Sequence, residues 1–313
     1  MRGMPRDHAT GTGSRTVAGP SRPGRGRSAR LAGGLALTLV VLLVEAVGGW
    51  WSGSLALLAD AGHMLVDALA LGLALASARI ALRPASARYS FGLARAETLA
   101  GFTNALTQLV LVGFIAWEAI QRLRYPHPIA SGVMLAVAVI GLLANALVLR
   151  LLHEHEADDL NMAAASLHVL GDLLSSVATV LAAAAVRWAG WLWADPALSL
   201  LVSLMLLRSA GVLLRRSVRV LLEGVPEGLS AEDVATVLHA LDPAILEVHH
   251  LHLWTLGSGQ RIATLHARVA AADDDARLLR VMHETLAARF GIDHATVQIE
   301  RGHCTDARCP PAR

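Results

Sequence analysis

The sequence predicts an α-helical membrane protein, in which a six-helix transmembrane bundle precedes a small cytoplasmic α+β domain. Three observations support this prediction. The 313 residues are 54% hydrophobic and have a mean hydropathy of +0.50. Only 17% of the residues are charged, whereas soluble domains carry about a quarter. The apolar residues concentrate between residues 31 and 222, and both ends of the chain are polar.

Composition also excludes several classes of protein. All 27 basic residues are arginine, but the net charge is only +2 and the basic clusters are local, so nothing supports a nucleic-acid partner. The two cysteines, Cys304 and Cys309, both lie in the last ten residues, which excludes a disulfide framework. Residues 1–30 are rich in Gly, Ser, Pro and Arg and predict a disordered basic tail.

The transmembrane domain is predicted over residues 31–222. A spanning helix needs about 20 mostly apolar residues, and the first apolar run is long enough to be a retained span rather than a signal peptide. Ala and Gly are frequent in several of these runs, which favours close packing of the helices. Six stretches meet the length requirement: residues 31–51, 55–78, 99–120, 129–152, 163–187 and 191–214.

The placement of arginine predicts that both termini are cytoplasmic. With an internal N-terminus, the N-terminal tail, the second loop and the exit of the sixth span place most loop arginines inside. The external side then receives only Arg122, Arg124 and Arg187. Tryptophans gather near the external ends, as in an interfacial belt. They are Trp50, Trp51, Trp117, Trp188, Trp191 and Trp193.

A second domain, over residues 223–303, is predicted where the sequence becomes polar. Gly224–Pro226 ends the last spanning helix, and Ser230 is placed to cap the next helix. The order helix, strand, strand, helix, strand indicates one small sheet with helices on one face. These elements are predicted at residues 231–241, 246–255, 261–270, 274–290 and 294–300. A cysteine-containing tail, residues 304–313, follows.

Two histidine–aspartate pairs inside the predicted spans are the strongest chemical signal. His63 and Asp67 lie in the second span, and His168 and Asp172 repeat the same spacing in the fifth. This i, i+4 spacing places both side chains of a pair on one helix face. Ionisable groups at this depth cost about 2.5–3.5 kcal/mol each, and two imidazoles with two carboxylates form a tetrahedral ligand set for Zn²⁺. One pair alone could be an interhelical hydrogen bond, but two identical pairs favour a metal site.

The charges of this ligand set predict exchange of the metal for protons. Either one Zn²⁺ or two protonated imidazoles neutralise the two carboxylates, and histidine titrates near pH 6.5. Asp60 is interpreted as a helix-packing residue or a support for the ligands. Glu45, Asn104 and Asn145 are interpreted as interhelical polar contacts.

Five stretches of the chain resemble the cation diffusion facilitator family of zinc transporters, and the bacterial zinc efflux members most closely. They are Leu58–Asp67, Tyr89–Glu97, His168–Asp172, Val248–Trp254 and Ala295–Glu300. Their order and spacing make the resemblance specific, and it covers about residues 31–303. The resemblance implies six spanning helices, a cytoplasmic ferredoxin-like domain, a homodimer and a lipid-embedded, multi-pass location in the inner (plasma) membrane.

The same resemblance implies proton-coupled export of Zn²⁺ from the cytoplasm by alternating access, and no enzymatic activity. The transport site that it carries over consists of His63, Asp67, His168 and Asp172. Relatives that move manganese or iron often replace a histidine by a carboxylate, so the two histidines favour Zn²⁺. Some members hold a second metal between helices two and three, but Tyr89 and Leu93 occupy those places here, and that site is not expected.

The resemblance also implies a zinc site in the cytoplasmic domain, where the ion tightens the dimer. The matching residues are His249, His266 and Glu300, and Gln298 stands where some relatives have a histidine. Cys304 and Cys309 add a thiolate tail with a C-x₄-C spacing, which is looser than the usual zinc motif. Solvated positions are the interpretation for His239, His250, His283 and His294. The loop containing His153 and His155 is either a weak zinc collector or a solvated acidic loop.

Three alternatives stand beside zinc efflux. An intramembrane metalloenzyme would need an open coordination position and a general base, and the sequence has no H-E-x-x-H motif. A membrane zinc sensor would bind the metal without moving it. The same kind of transporter could carry Cd²⁺, Co²⁺, Ni²⁺ or Fe²⁺, and Cd²⁺ is the hardest to separate from Zn²⁺ by ligand preference.

Overall fold

A computed structural model gives the fold of the chain. The structure describes residues 25–153, 160–257, 259–270 and 274–302, with side chains omitted at 25–35, 151–153 and 160–169. Within these ranges the chain forms a helical membrane domain followed by a small sheet covered by two helices. The predicted fold class is therefore confirmed.

Six long helices form the membrane domain. They are α1 (Arg25–Ser52), α2 (Leu55–Ala81), α3 (Ala96–Arg124), α4 (Ser131–His153), α5 (Leu160–Ala184) and α6 (Ala194–Leu221). Helices α2 to α6 are each long and apolar enough to cross a membrane, and the apolar part of α1 with described side chains, Ala36–Ser52, is shorter. Helix α1 begins at Arg25, before the predicted start at Leu31, so the helix includes part of the predicted basic tail.

Helix α6 packs chiefly on α3, while α4 packs against α5 and α1. The buried face of α6 consists largely of small residues, among them Ser199, Ser203, Ala210 and Ser217. Small side chains let two backbones approach closely in lipid. At Gly101 of α3 an added Cβ would lie 3.3 Å from the Ser217 hydroxyl oxygen, which shows how close this contact is.

A buried carboxylate joins α6 to α2 at the predicted external end. Asp195, in the first turn of α6, is fully buried. Its Oδ1 accepts hydrogen bonds from the Ser54 hydroxyl at 2.5 Å and the Ala56 amide at 3.1 Å. Its Oδ2 accepts one from the Leu55 amide at 2.8 Å. The carboxylate therefore satisfies amide groups that the first turn of α2 leaves without helical partners.

The cytoplasmic domain has the predicted order of helices and strands. It consists of α7 (Ala231–His239), β1 (Ile245–Thr255), β2 (Arg261–Val269), α8 (Asp275–Phe290) and β3 (His294–Glu300). The sheet order is β1-β2-β3, with β1 antiparallel and β3 parallel to β2. Ser230 caps α7 as predicted, since its hydroxyl accepts a hydrogen bond from the Asp233 amide. The helices bury alternate residues of the strands, including Leu265 and Ala267.

The loop between α2 and α3 contacts the cytoplasmic domain. Phe91 meets the edge of the His294 ring with centroids 5.8 Å apart. The Ala94 backbone lies so close to Gly257, in the β1–β2 turn, that a Cβ at this glycine would overlap it. Only glycine fits this position, so the turn and the loop are in direct backbone contact.

Candidate metal centres

The first predicted pair lies on one face of α2. The His63 Nε2 and Asp67 Oδ2 atoms are 3.4 Å apart. Both side chains are partly exposed, by 19% for His63 and 32% for Asp67. This proximity follows from the i, i+4 spacing within a regular helix.

The second pair lies on α5, which contacts α2. Asp172 is half-buried and close enough to Glu45 and Asp60 for their carboxylates to interact electrostatically. The Ser175 hydroxyl, one turn further along α5, donates a 3.1 Å hydrogen bond to Asp60 Oδ1. The aspartate of the second pair therefore faces the helices that carry the other carboxylates. His168 belongs to α5, but its side chain lies outside the described residues.

Two acidic residues beside these pairs are more deeply buried than the pairs themselves. Glu45 of α1 is 1% exposed and Asp60 of α2 is 5% exposed. The Glu45 carboxylate packs against Gly141 of α4, where any Cβ would overlap it. Among the described residues, none forms a hydrogen bond to Glu45 Oε2. The sequence marked Glu45 as unusual because it is an acidic residue in an apolar span. It did not predict that Glu45 lies close to Asp60 and Asp172.

Asn145 forms the interhelical polar contact that was expected of it. The Asn145 side chain of α4 donates a 2.9 Å hydrogen bond to the Ser176 hydroxyl of α5. The Asp60–Ser175 hydrogen bond likewise joins α2 to α5. Asn104 lines a cavity of about 410 Å³ between α2 and α3, together with Ser77 and Glu97.

A second cluster of potential ligands lies on the cytoplasmic sheet. The His249 Nε2 is 3.2 Å from Glu300 Oε2, and the His266 Nδ1 is 2.9 Å from Glu300 Oε1. One potential ligand atom from each of the three residues lies within 4.8 Å of the others. Two imidazoles and a carboxylate are three ligands of a zinc site and leave a fourth position.

Strand register brings these three residues together. His249 of β1 and His266 of β2 are directly opposed across the antiparallel pair. Gln298 of β3 is the parallel partner of His266, and Glu300 follows it by two residues on the same face. The Gln298 amide donates a 2.9 Å hydrogen bond to Glu300 Oε1, which orients the carboxylate toward the histidines. The Glu300 side chain is only 5% exposed.

His250 was predicted to be solvated, but its ring lies beside this cluster. A register shift in β1 follows His249, and His250 has a positive φ of 49°. Its ring centroid is 5.1 Å from that of His266. A β-bulge explains this placement, since the extra residue turns a side chain out of the strand alternation. The predicted ligands Cys304 and Cys309 and the loop residue His155 lie outside the described residues.

Two families match the chain when it is compared with known proteins. The one described as the cation efflux transmembrane domain covers residues 32–222. The one described as the cation efflux protein, cytoplasmic domain, covers residues 226–302. The boundary between the two matches falls where α6 has ended and α7 has not begun.

Individual proteins are also similar to the chain. "Zinc transporter ZitB" of Pectobacterium atrosepticum is 47% identical over 91% of this chain and 89% of its own length. The "Cadmium, cobalt and zinc/H(+)-K(+) antiporter" of Bacillus velezensis is 36% identical over 83% of this chain and 84% of its own length. Among solved structures, the metal-bound C-terminal domain of the CzcD transporter from Cuprividus metallidurans is 30% identical. That match covers 23% of this chain and 99% of that one, with a TM-score of 0.22.

Proposed function

The chain belongs to the cation efflux family, which consists of membrane transporters and not of enzymes, and we propose that it exports Zn²⁺ from the cytoplasm in exchange for protons. The His63–Asp67 pair on α2, opposite the helix that carries Asp172, is the observation on which this proposal depends. His63, Asp67, His168 and Asp172 are the proposed ligands of the transported ion. Zinc is the proposed cargo because a relative 47% identical is a zinc transporter by name.

The proposed ligands suit a cargo that must be bound and released. Imidazole nitrogen and carboxylate oxygen both bind Zn²⁺, and a set of two of each neutralises the ion within the membrane. Because histidine gains a proton near neutral pH, protons compete with the metal for the same atoms. We therefore propose that release of Zn²⁺ on one side of the membrane is coupled to protonation of its ligands. The site would open to each side of the membrane in turn. The antiporter relative of Bacillus velezensis, whose name includes H⁺, supports this coupling.

The cytoplasmic cluster is proposed as a resident zinc site with a regulatory or structural role. His249, His266 and Glu300 would hold the ion, and the buried Glu300 would supply a negative charge beside two neutral imidazoles. Cys304 and Cys309 are placed in the sequence to add thiolate ligands. We propose that the ion strengthens association of two cytoplasmic domains in a homodimer.

The proposed orientation places both termini in the cytoplasm of a cell whose inner membrane holds the helices. The family's description of residues 226–302 as a cytoplasmic domain supports this side for the C-terminus. An even number of spans then returns the N-terminus to the same side. The arginine-rich N-terminal sequence agrees with that placement.

Other divalent ions form a second proposal within the same mechanism. The relative named for cadmium, cobalt and zinc is 36% identical to the chain. Cd²⁺ and Co²⁺ accept the same imidazole and carboxylate ligands as Zn²⁺. Selectivity between these ions is therefore part of the experiment.

Flux into proteoliposomes tests the proposal. Purified protein is reconstituted, Zn²⁺, Cd²⁺, Co²⁺, Ni²⁺ and Fe²⁺ are added in turn, and luminal metal and pH are recorded together. We expect Zn²⁺ uptake with proton movement in the opposite direction, and loss of both in Asp67→Asn. Glu118→Gln is the matched control, because Glu118 is paired with Arg122 away from the site. Metal binding without flux would instead indicate a sensor, and flux without any pH change would refute the exchange.

A further inference from the structure

Helix α6 carries a line of arginines that the transport site does not use. Arg208, Arg215, Arg216 and Arg219 are all exposed. At about 100° per residue, Arg208, Arg215 and Arg219 lie roughly 140–180° around the helix from Ala210. Ala210 belongs to the buried face that packs inside the bundle. Arg208, Arg215 and Arg219 therefore face away from the packed side of α6, and together with the exposed Arg216 they are named here the α6 arginine stripe.

Arg208 lies within the part of α6 that crosses the membrane. It follows Ala194, the first residue of the helix, by about 21 Å at 1.5 Å per residue. The hydrocarbon core is about 30 Å thick, so the backbone of Arg208 lies inside it and the backbone of Arg215 lies near its cytoplasmic edge. A long arginine side chain at this depth extends toward the interface to reach polar groups.

The stripe has far more positive than negative charge. Glu227 is the nearby carboxylate, 3.2 Å from Arg219 and 3.8 Å from Arg216. Among the described residues, none forms an ion pair with Arg208 or Arg215. Within the described parts of the chain, Glu227 is the one carboxylate ion-paired with these four guanidinium groups, since Glu223 is paired with Arg95, and an anion from outside the chain would complete their pairing.

Apolar surface continues directly from these arginines. A groove of about 410 Å³ is lined by Arg208 and Arg216 together with Met205, Val212 and Leu213. Met205 is 67% exposed and Val212 is 46% exposed, as expected for apolar side chains of a spanning helix that face lipid. A ligand for this groove therefore has an anionic group joined to an apolar chain.

We propose that the α6 arginine stripe and its apolar groove bind an anionic phospholipid of the cytoplasmic leaflet. The phosphodiester pairs with Arg208 and Arg215, and an acyl chain lies along Met205 and Val212. A second copy of the protein fits less well, because a two-fold contact through this face would bring arginines of both copies together. Basic groups at the cytoplasmic side of membrane helices attract anionic lipid headgroups in general.

Lipid retention by the full chain tests this proposal. Protein purified in detergent is titrated with phosphatidylglycerol or phosphatidylcholine of the same acyl chains, and bound lipid is counted by native mass spectrometry. We expect the wild type to retain phosphatidylglycerol preferentially. Arg208→Gln with Arg215→Gln should weaken phosphatidylglycerol binding roughly 25-fold, at about fivefold per arginine. The lysine pair, Arg208→Lys with Arg215→Lys, should retain most of the binding.

The matched control is Arg280→Gln with Arg289→Gln, which removes two exposed charges from α8 and should leave lipid retention unchanged. Equal retention of the two lipids by the wild type would overturn the proposal without any variant. Displacement of phosphatidylglycerol by millimolar inorganic phosphate would overturn the assignment to a lipid. A change of oligomeric state in the glutamine pair with unchanged lipid retention would show that this face joins two copies instead.

Discussion

The two candidate metal centres differ in how the chain brings their ligands together. In the membrane, His63 and Asp67 are neighbours on one helix turn, 3.4 Å apart. In the cytoplasmic domain, His249, His266 and Glu300 come from three strands and meet through the sheet register. The proposed membrane site thus consists of local pairs on two helices, whereas the cytoplasmic cluster forms only when all three strands are paired.

The difference has a consequence for mobility. The two membrane pairs lie on separate helices, α2 and α5, so a tilt or shift of one helix would change the distance between the pairs without breaking hydrogen bonds within either helix. The strands of the cytoplasmic site are joined by backbone hydrogen bonds, and the Gln298–Glu300 hydrogen bond further fixes the carboxylate. A changeable site suits a transported ion, and a fixed site suits a resident one.

Loss of a membrane ligand is expected to have the largest effect. Asp67→Asn or Asp172→Asn removes a charged ligand, so transport should fall at least about 100-fold, given that even outer partners of metal ligands are worth 10–100-fold. Zinc resistance of an efflux-deficient cell and flux into proteoliposomes measure the loss. Protein in the membrane must match the wild type. Full activity in either variant would show that the pairs do not form the transport site.

Removal of a cytoplasmic ligand should weaken metal binding there by at least about tenfold while transport persists. His266→Ala deletes the imidazole that lies 2.9 Å from Glu300. Zinc titration of the full chain, carried out in an Asp67→Asn background so that only the cytoplasmic site responds, measures the affinity. His239→Ala is the control, since His239 is exposed on α7. Complete loss of flux in the single variant His266→Ala would mean that transport depends on the cytoplasmic centre.

A structural change confined to the membrane domain should leave the cytoplasmic site unaffected. Asp195→Ala deprives the Leu55 and Ala56 amides of their acceptor, at a cost of about 3 kcal/mol. Thermal unfolding followed by size-exclusion fluorescence should show a lower midpoint than in the exposed control Asp293→Ala. Zinc affinity of the cytoplasmic site should not change. A parallel fall in that affinity would contradict the independence of the two regions.

The smallest expected effect concerns acid stability of the cytoplasmic domain. The Ala244 amide hydrogen bond, followed by Arg277, holds the pKa of Asp242 below its usual value of 3.8. A lowered pKa adds stability above the usual value, and that stability is lost as the pH falls through the lowered value. Hydrogen exchange of residues 231–255 between pH 2 and 7 measures this loss. Asp242→Asn should reduce the loss of protection from exchange at low pH, relative to Asp293→Asn. An unchanged pH profile would assign that loss to other groups.

Local patterns in the sequence were enough to predict most of the fold. Apolar length predicted the spans, and the strands around the Gly257–Gly259 turn and after α8 were predicted to within a residue at every end. The i, i+4 pairs were readable for the same reason, because a helix turn is a local property. The cytoplasmic ligands depended on resemblance to a family, since nothing local in the sequence specifies that His249 pairs with His266.

Features that depend on distant partners could not be predicted. The bulge that brings His250 near His266 is a property of strand pairing. The cap that Asp195 provides for α2 joins residues far apart in sequence, as does the approach of Glu45 to Gly141. Arg208 belongs to no sequence motif, and its outward orientation becomes clear only when the packed face of α6 is known.

The carboxylate of Asp195 determines how α2 can move. Because it binds the Ser54 hydroxyl and two amides at the start of α2, that end cannot slide along or part from α6 without breaking all three hydrogen bonds. These three hydrogen bonds therefore fix the start of α2 to the start of α6. His63 and Asp67 lie eight and twelve residues after Leu55 on the same helix, so any tilt of α2 with that end held in place moves them farther than it moves Leu55.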